Sequence, residues 1–186
     1  MNEEKEKLTA QKKHAHPAKE CAYIAVFVAL VIAAQIALSS LPGVEVVTVL
    51  FIAYAYAFGW KRGMVSATAF TLLRQMVFGF FPNVLILYLI YYNLLALVFG
   101  GLGKKYKKPA QKTWLVLILA CVCTAGFTLL DCLISPLFYG FTFAATKAYL
   151  LASLPVCGIQ TVCTGVTVGV LFIPLTKTFF NIKRAL

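Results

Sequence analysis

Apolar and polar positions in this chain do not alternate finely; they segregate into long apolar stretches separated by short basic clusters. The stretches are 21–60, 63–103 and 113–176. The clusters are Lys5 to Lys19, Lys61-Arg62, Lys104 to Lys112 and Lys177 to Arg184. A membrane span takes about 20 apolar residues, with roughly 17–25 tolerated. Each stretch is therefore too long for one crossing and suits two. Lys and Arg collect on the cytoplasmic side of membrane helices, so four cytoplasmic clusters require an even number of crossings between them. Turn signals fall where the outer hairpins belong: Ser39-Ser40-Leu41-Pro42-Gly43, Phe80-Phe81-Pro82-Asn83, and an irregular stretch from Ser135-Pro136 to Pro155. The pattern predicts an all-α integral membrane protein with six transmembrane helices and both termini cytoplasmic. The expected spans are 21–40, 44–60, 63–80, 83–102, 113–134 and 150–175. The second is short for a crossing. Residues 1–20 form a basic cytoplasmic tail, expected to be partly disordered, and 177–186 a second cytoplasmic tail; 21–176 is the membrane domain.

Composition agrees, at 61% hydrophobic residues. The net charge of +11 lies in loops flanking the spans. Topology and anionic headgroups account for it better than nucleic acid does. No cleavable signal peptide is expected, because the first apolar stretch runs to full span length without an A-x-A site. Cys21, Cys121, Cys123, Cys132, Cys157 and Cys163 mostly fall within spans, where Cys is a small apolar residue. No metal site is expected: Cys121-Val122-Cys123 lacks zinc spacing, and His14 and His16 lie in the tail.

No catalytic constellation is visible. Both histidines lie outside the membrane region, which removes a histidine-based triad inside it. Gly100-Gly101-Leu102-Gly103-Lys104-Lys105 fails the phosphate-loop pattern, since the upstream Gly is missing and Lys105 stands where Ser or Thr is required. The chain is not expected to be an enzyme, to hydrolyse nucleotide or to hold a cofactor. Any pumping would draw on a partner or an ion gradient.

The charges outside the clusters and tail are Glu45, Arg74, Asp131 and Lys147. Charge at membrane depth is costly and usually faces a cavity or another charge. The topology puts all four in the outer half; Arg74 lies roughly 16 Å along the third helix from Gly63, at 1.5 Å per residue. Gln75, Asn83, Tyr88, Tyr91, Tyr92, Asn93, Tyr139 and Gln160 fall at similar depth. Together they suggest an outward-facing pocket for a polar small molecule. Competing roles are a helix-dipole acid for Glu45, interfacial placement for Asp131 and Lys147, an aromatic belt for Tyr88 and interhelical bonding for Asn93. On the first helix Ala25, Ala29, Ala33 and Ala37 form a small-residue stripe that lets another helix approach closely. Gly158, Gly165 and Gly169 are expected to be packing positions in the sixth.

Several segments resemble the substrate-binding S component of energy-coupling factor (ECF) vitamin transporters. Leu41-Pro42-Gly43-Val44-Glu45-Val46-Val47-Thr48 is similar to the P-x-V-E/K-x-V-T segment leading into helix two in one branch of that family. Phe58-Gly59-Trp60-Lys61-Arg62-Gly63 resembles its helix-two to helix-three turn, and Phe78-Gly79-Phe80 the outer end of helix three. The alanine stripe resembles the A-x-x-x-A motif that meets the transmembrane partner. The resemblance spans roughly 20–180. It implies capture of a vitamin from outside and delivery inward through a coupling protein and two ATPase subunits, which alone use ATP. Ala25 and Ala29 would meet the coupling protein. Glu45, Arg74, Asn83, Tyr92, Asn93, Asp131, Tyr139 and Lys147 are the candidate ligand-binding residues. The Pro42 to Thr48 segment leans toward cobalamin or a related corrinoid; pantothenate or a queuosine-type base are smaller alternatives. A carboxylate ligand would favour Arg74 and Lys147. The resemblance also implies a bacterial plasma membrane. The alternative functions are a stand-alone ion-coupled carrier, with Glu45 and Asp131 titrating, and a membrane scaffold.

Overall fold

The computed structural model describes residues 2–39, 46–106 and 112–185, with side chains described from 18 to 184 within those ranges. Six helices follow one another: α1 (Asn2–Leu38), α2 (Val47–Phe58), α3 (Trp60–Phe78), α4 (Pro82–Lys105), α5 (Thr113–Tyr139) and α6 (Phe143–Ala185). Four of them, α1, α4, α5 and α6, contain segments long and apolar enough to cross a membrane. Their outward faces carry large apolar side chains, among them Leu30, Leu94, Leu133 and Val166, all exposed. A water-soluble surface seldom carries so much contiguous apolar area. The chain reads as a helical, multi-pass membrane protein.

The centre of the bundle is α2. Every residue from Val47 to Phe58 is buried, enclosed mainly by α6 and α4, with α3 and α1 closing the rest. Its 12 residues rise about 18 Å, against roughly 30 Å of hydrocarbon. The expected span 44–60 is thus shortened, and its first two residues lie outside the described ones. A helix sheathed in protein needs no lipid contact, so bilayer thickness does not set its length. Ring contacts radiate from it. Phe51 meets Phe27 of α1 at 5.3 Å, Phe70 of α3 at 5.2 Å and Tyr92 of α4 at 4.7 Å. Tyr56 meets Phe172 of α6 at 5.3 Å. Such pairs contribute about 0.5–1.5 kcal/mol each beyond area burial.

The α2–α3 reversal is made by Gly59 alone, at φ +92°, a backbone region that side-chain-bearing residues avoid. The end of α4 lies directly against this turn. A Cβ on Gly100 would collide with the backbone of Trp60, and one on Gly103 with the backbone of Tyr56, whereas Gly101 faces open space. The glycine run that fails as a phosphate loop is therefore a close helix-to-turn contact. The Tyr56 hydroxyl also donates to the Tyr106 carbonyl just past α4.

Three further expectations change. The backbone of the N-terminal tail continues α1 as helix from Asn2. The stretch from Ser135 to Pro155 is helical except at 140–142. Gly140, left-handed at φ +64°, ends α5, while Pro136, Pro155 and Pro174 all sit inside helices. Of the three α6 glycines, Gly165 and Gly169 face α5 side chains and Gly158 faces none. Polar bonds tie the helices: Thr124 to Thr164 across α5–α6 at 3.1 Å, and Thr68 to Asn93 across α3–α4 at 3.4 Å.

The glycine contact yields a paired prediction. Gly103→Ala should lower the thermal midpoint of the detergent-purified chain, because the atom it meets is backbone and cannot swing aside; the cost should be about 1–3 kcal/mol. Gly101→Ala should leave the midpoint unchanged or raise it, by up to about 1 kcal/mol, since it removes a mid-helix glycine without a clash. Equal midpoints for the two variants would contradict the packing described.

Candidate functional site

The end opposite the Lys61-Arg62 turn holds the α3–α4 turn, the α5–α6 turn and most of the expected site residues. They fall into two groups rather than one pocket.

The first group lies between α3 and α4. The Arg74 guanidinium stacks over Tyr88 at 4.4 Å and Phe78 at 5.0 Å from the ring centroids. Its Nε and one terminal nitrogen are buried and find no hydrogen-bond acceptor among the described residues. A cation held over rings in a desolvated place gains roughly 2 kcal/mol or more, which offsets part of the cost of its depth. The next residue, Gln75, is buried too. Its side-chain oxygen accepts from the Phe81 backbone N–H at 3.0 Å, fixing the α3–α4 turn. Its amide nitrogen is a further buried donor without a described acceptor. Tyr88 lies beneath this cation.

The second group joins α4, α5 and α6 around Asp131. One carboxylate oxygen accepts from Ser135 at 2.7 Å and the other from Tyr149 at 2.7 Å. Ser135 in turn accepts from the Asn83 amide at 3.4 Å, and Tyr139 donates to the Asn83 carbonyl at 3.2 Å. Asp131 is thus held by hydroxyl groups, with no cation paired to it among the described residues. Beside it a cleft of about 290 Å³ opens between α5 and α6, lined by Phe127, Thr128, Asp131, Tyr149, Ser153 and Gln160 among others. Tyr149, Thr128 and Ser153 are contributors that the sequence reading did not single out. Thr128 lies one helical turn from Asp131 and Ser153 one turn from Tyr149, but nothing in the spacing marks Tyr149 itself.

The two groups communicate through rings. Phe127, which lines the cleft, makes an edge contact with Tyr88 at 5.9 Å and also contacts Tyr91 at 4.7 Å. Tyr88 is the ring under Arg74.

Several expected residues lie elsewhere. Tyr92 is buried in the aromatic core among Phe51, Phe70, Tyr88 and Tyr91. Asn93 donates to the Leu89 carbonyl at 2.7 Å and bonds Thr68, so it ties α4 to α3. Lys147 is exposed on α6 and pairs with no described carboxylate. Glu45 lies outside the described residues. Arg74, Asp131 and Lys147 form no ion pair with one another. Ala25, Ala29, Ala33 and Ala37 are all exposed, while Phe27, Val28 and Val31 of the same helix are buried. The alanine face points away from the bundle. Comparison with known proteins finds no matching family model, no matching curated protein and no matching solved structure.

Proposed function

We propose that this chain is the substrate-capturing component of an ATP-driven micronutrient importer of the ECF type. It would bind a vitamin-sized molecule from outside and pass it inward through a partner coupling protein and two ATPase subunits. The observation that carries the reading is the pairing of an ordered acid with buried, unsatisfied donors at the same end of the fold. Asp131 lines a small cleft, and Arg74 and Gln75 keep donor nitrogens buried without described acceptors. Buried donors left unpaired cost about 1–3 kcal/mol each, and an acceptor-bearing ligand would recover that. The outward alanine face of α1 supports a helical partner.

The cleft argues for a small substrate. Ligand pockets run from about 300 to 1,000 Å³, and about 290 Å³ stands at the lower limit. A pantothenate-sized molecule suits it better than a corrinoid. An amide- or hydroxyl-bearing molecule in the cleft would place its polar groups toward Asp131 and Tyr149, and a carboxylate end would have to extend past Phe127 and Tyr88 to reach Arg74. On the same reading the chain crosses a bacterial plasma membrane six times with both termini cytoplasmic, α2 and α3 serving as the second and third crossings.

Titration calorimetry of the detergent-purified chain with a panel of vitamins tests the reading. One small carboxylate vitamin should bind tightly, without turnover, and Arg74→Ala and Asp131→Asn should each weaken it about 10- to 100-fold, the scale of a charge-assisted hydrogen bond. Lys147→Ala should bind as the parent does. Tight cobalamin binding would overturn the size argument. Gradient-dependent uptake by the chain alone in liposomes would favour the carrier instead, and no ligand at all would favour a scaffold.

Topology has its own test. In a variant otherwise free of cysteine, an impermeant maleimide added to intact cells should label Gly140→Cys at the α5–α6 turn. It should not label a lone Cys21, which is exposed near the Lys61-Arg62 end. The reverse pattern would invert the orientation.

A further inference from the structure

A second cavity stands apart from the Asp131 cleft. It lies at the opposite end, has a volume of about 1,020 Å³, and opens between the α2–α3 turn, the end of α4 and the end of α6. Six cations line it: Lys61 and Arg62 from α3, Lys104 from α4, and Lys177, Lys183 and Arg184 from α6. Topology alone explains why basic residues sit at this end. It does not explain why side chains from three helices converge on one cavity, where their mutual repulsion is unfavourable.

Compensation from the protein itself is slight. Arg62 pairs with Glu20 of α1, the one ion pair among the described residues. Lys183 donates to the Ala57 carbonyl at 2.6 Å, capping the end of α2. Desolvation, with the charge of Arg62 added, lowers the Lys183 pKa from its ordinary value, as expected where cations crowd. Lys61, Lys104, Lys177 and Arg184 have no carboxylate partner among the described residues. The rest of the lining is largely apolar and aromatic, including Phe58, Trp60 and Phe180. A lining that mixes cations with apolar and aromatic side chains, at the end of membrane helices, matches the chemistry of an anionic amphiphile: a phosphoryl group for the cations and acyl or glycerol carbon for the apolar surface.

We propose that this cavity is a binding site for a phosphate-bearing anion, with an anionic phospholipid headgroup as the favoured source. The assignment stands independently of what the Asp131 cleft binds. A headgroup seated there would join α3, α4 and α6 around the end of α2 and neutralise the charge that otherwise pushes them apart.

The test uses the full-length chain reconstituted in nanodiscs of phosphatidylcholine with a minor fraction of phosphatidylglycerol, then released and weighed by native mass spectrometry. The chain should retain phosphatidylglycerol in preference to phosphatidylcholine. The variant Lys61→Gln/Lys177→Gln/Arg184→Gln should reduce that retention about tenfold or more. The control Lys19→Gln/Lys105→Gln/Lys112→Gln removes equal charge outside the cavity and should retain lipid as the parent does. A second arm adds inorganic pyrophosphate to chain in pure phosphatidylcholine and follows the thermal midpoint. A midpoint rise lost in the cavity variant, without lipid selectivity, would keep the phosphate site but make its source soluble. Equal retention by the two triple variants, with no pyrophosphate response, would overturn the proposal. If the cavity variant fails to fold, single Lys177→Gln and Arg184→Gln variants, both at exposed positions, carry the same comparison.

Discussion

The rest of the structure depends on keeping α2 away from both water and lipid. A 12-residue helix with every side chain buried is too short to cross a bilayer in contact with it. Its terminal backbone groups must then be satisfied by protein, since hydrocarbon offers no partners. The structure supplies them locally. Gly59 returns its N–H to Ala55, Lys183 reaches the Ala57 carbonyl, and Leu50 bonds back to Val46. The surrounding helices must then approach closely, and Gly100 and Gly103 let the end of α4 press against backbone. The aromatic contacts around Phe51 and Tyr56 fill the remaining space.

This geometry separates what the sequence discloses from what it does not. Apolar length and basic punctuation located α3 and α4 to within a few residues, because Gly59, Gly79 and Pro82 mark their ends chemically. The same logic failed between α5 and α6. Proline inside a helix removes one hydrogen bond, and neighbouring helices can absorb the loss. The left-handed Gly140, not Pro155, breaks the chain there. Depth was legible too, since Arg74, Asn83, Asp131 and Tyr139 do share the end opposite the Lys61-Arg62 turn. Facing was not. Counting residues along a helix gives height but not which neighbour the side chain meets, so Tyr92 fell into the core, while Asn93 took its competing role as an interhelical tie. Tyr88, left open between pocket and aromatic belt, carries the Arg74 cation over its ring.

The two ends of the molecule treat charge in opposite ways. At the Asp131 end one acid is held by two hydroxyl groups and pairs with no cation among the described residues. Such a group keeps its charge local and its geometry fixed, which suits recognition. At the other end cations outnumber carboxylates, and the cavity between them is several times larger. That arrangement suits a mobile, headgroup-like counter-ion more than a precisely oriented one.

Arg74 and Lys147 show why a membrane cation must be judged by its surroundings and not by its hydropathy. Both stand outside the basic clusters. Lys147 is exposed near the start of α6, where a long flexible side chain reaches the interface at little cost. Arg74 stands one turn before the end of α3, its guanidinium over the Tyr88 ring and two of its nitrogens shut off from solvent. Ring stacking satisfies the face of a guanidinium but leaves its in-plane donors unused. A structural cation would be expected to use those donors on nearby carbonyls. On the proposed function, the two buried donors of Arg74 that meet no described acceptor are where an acceptor-bearing ligand would be received.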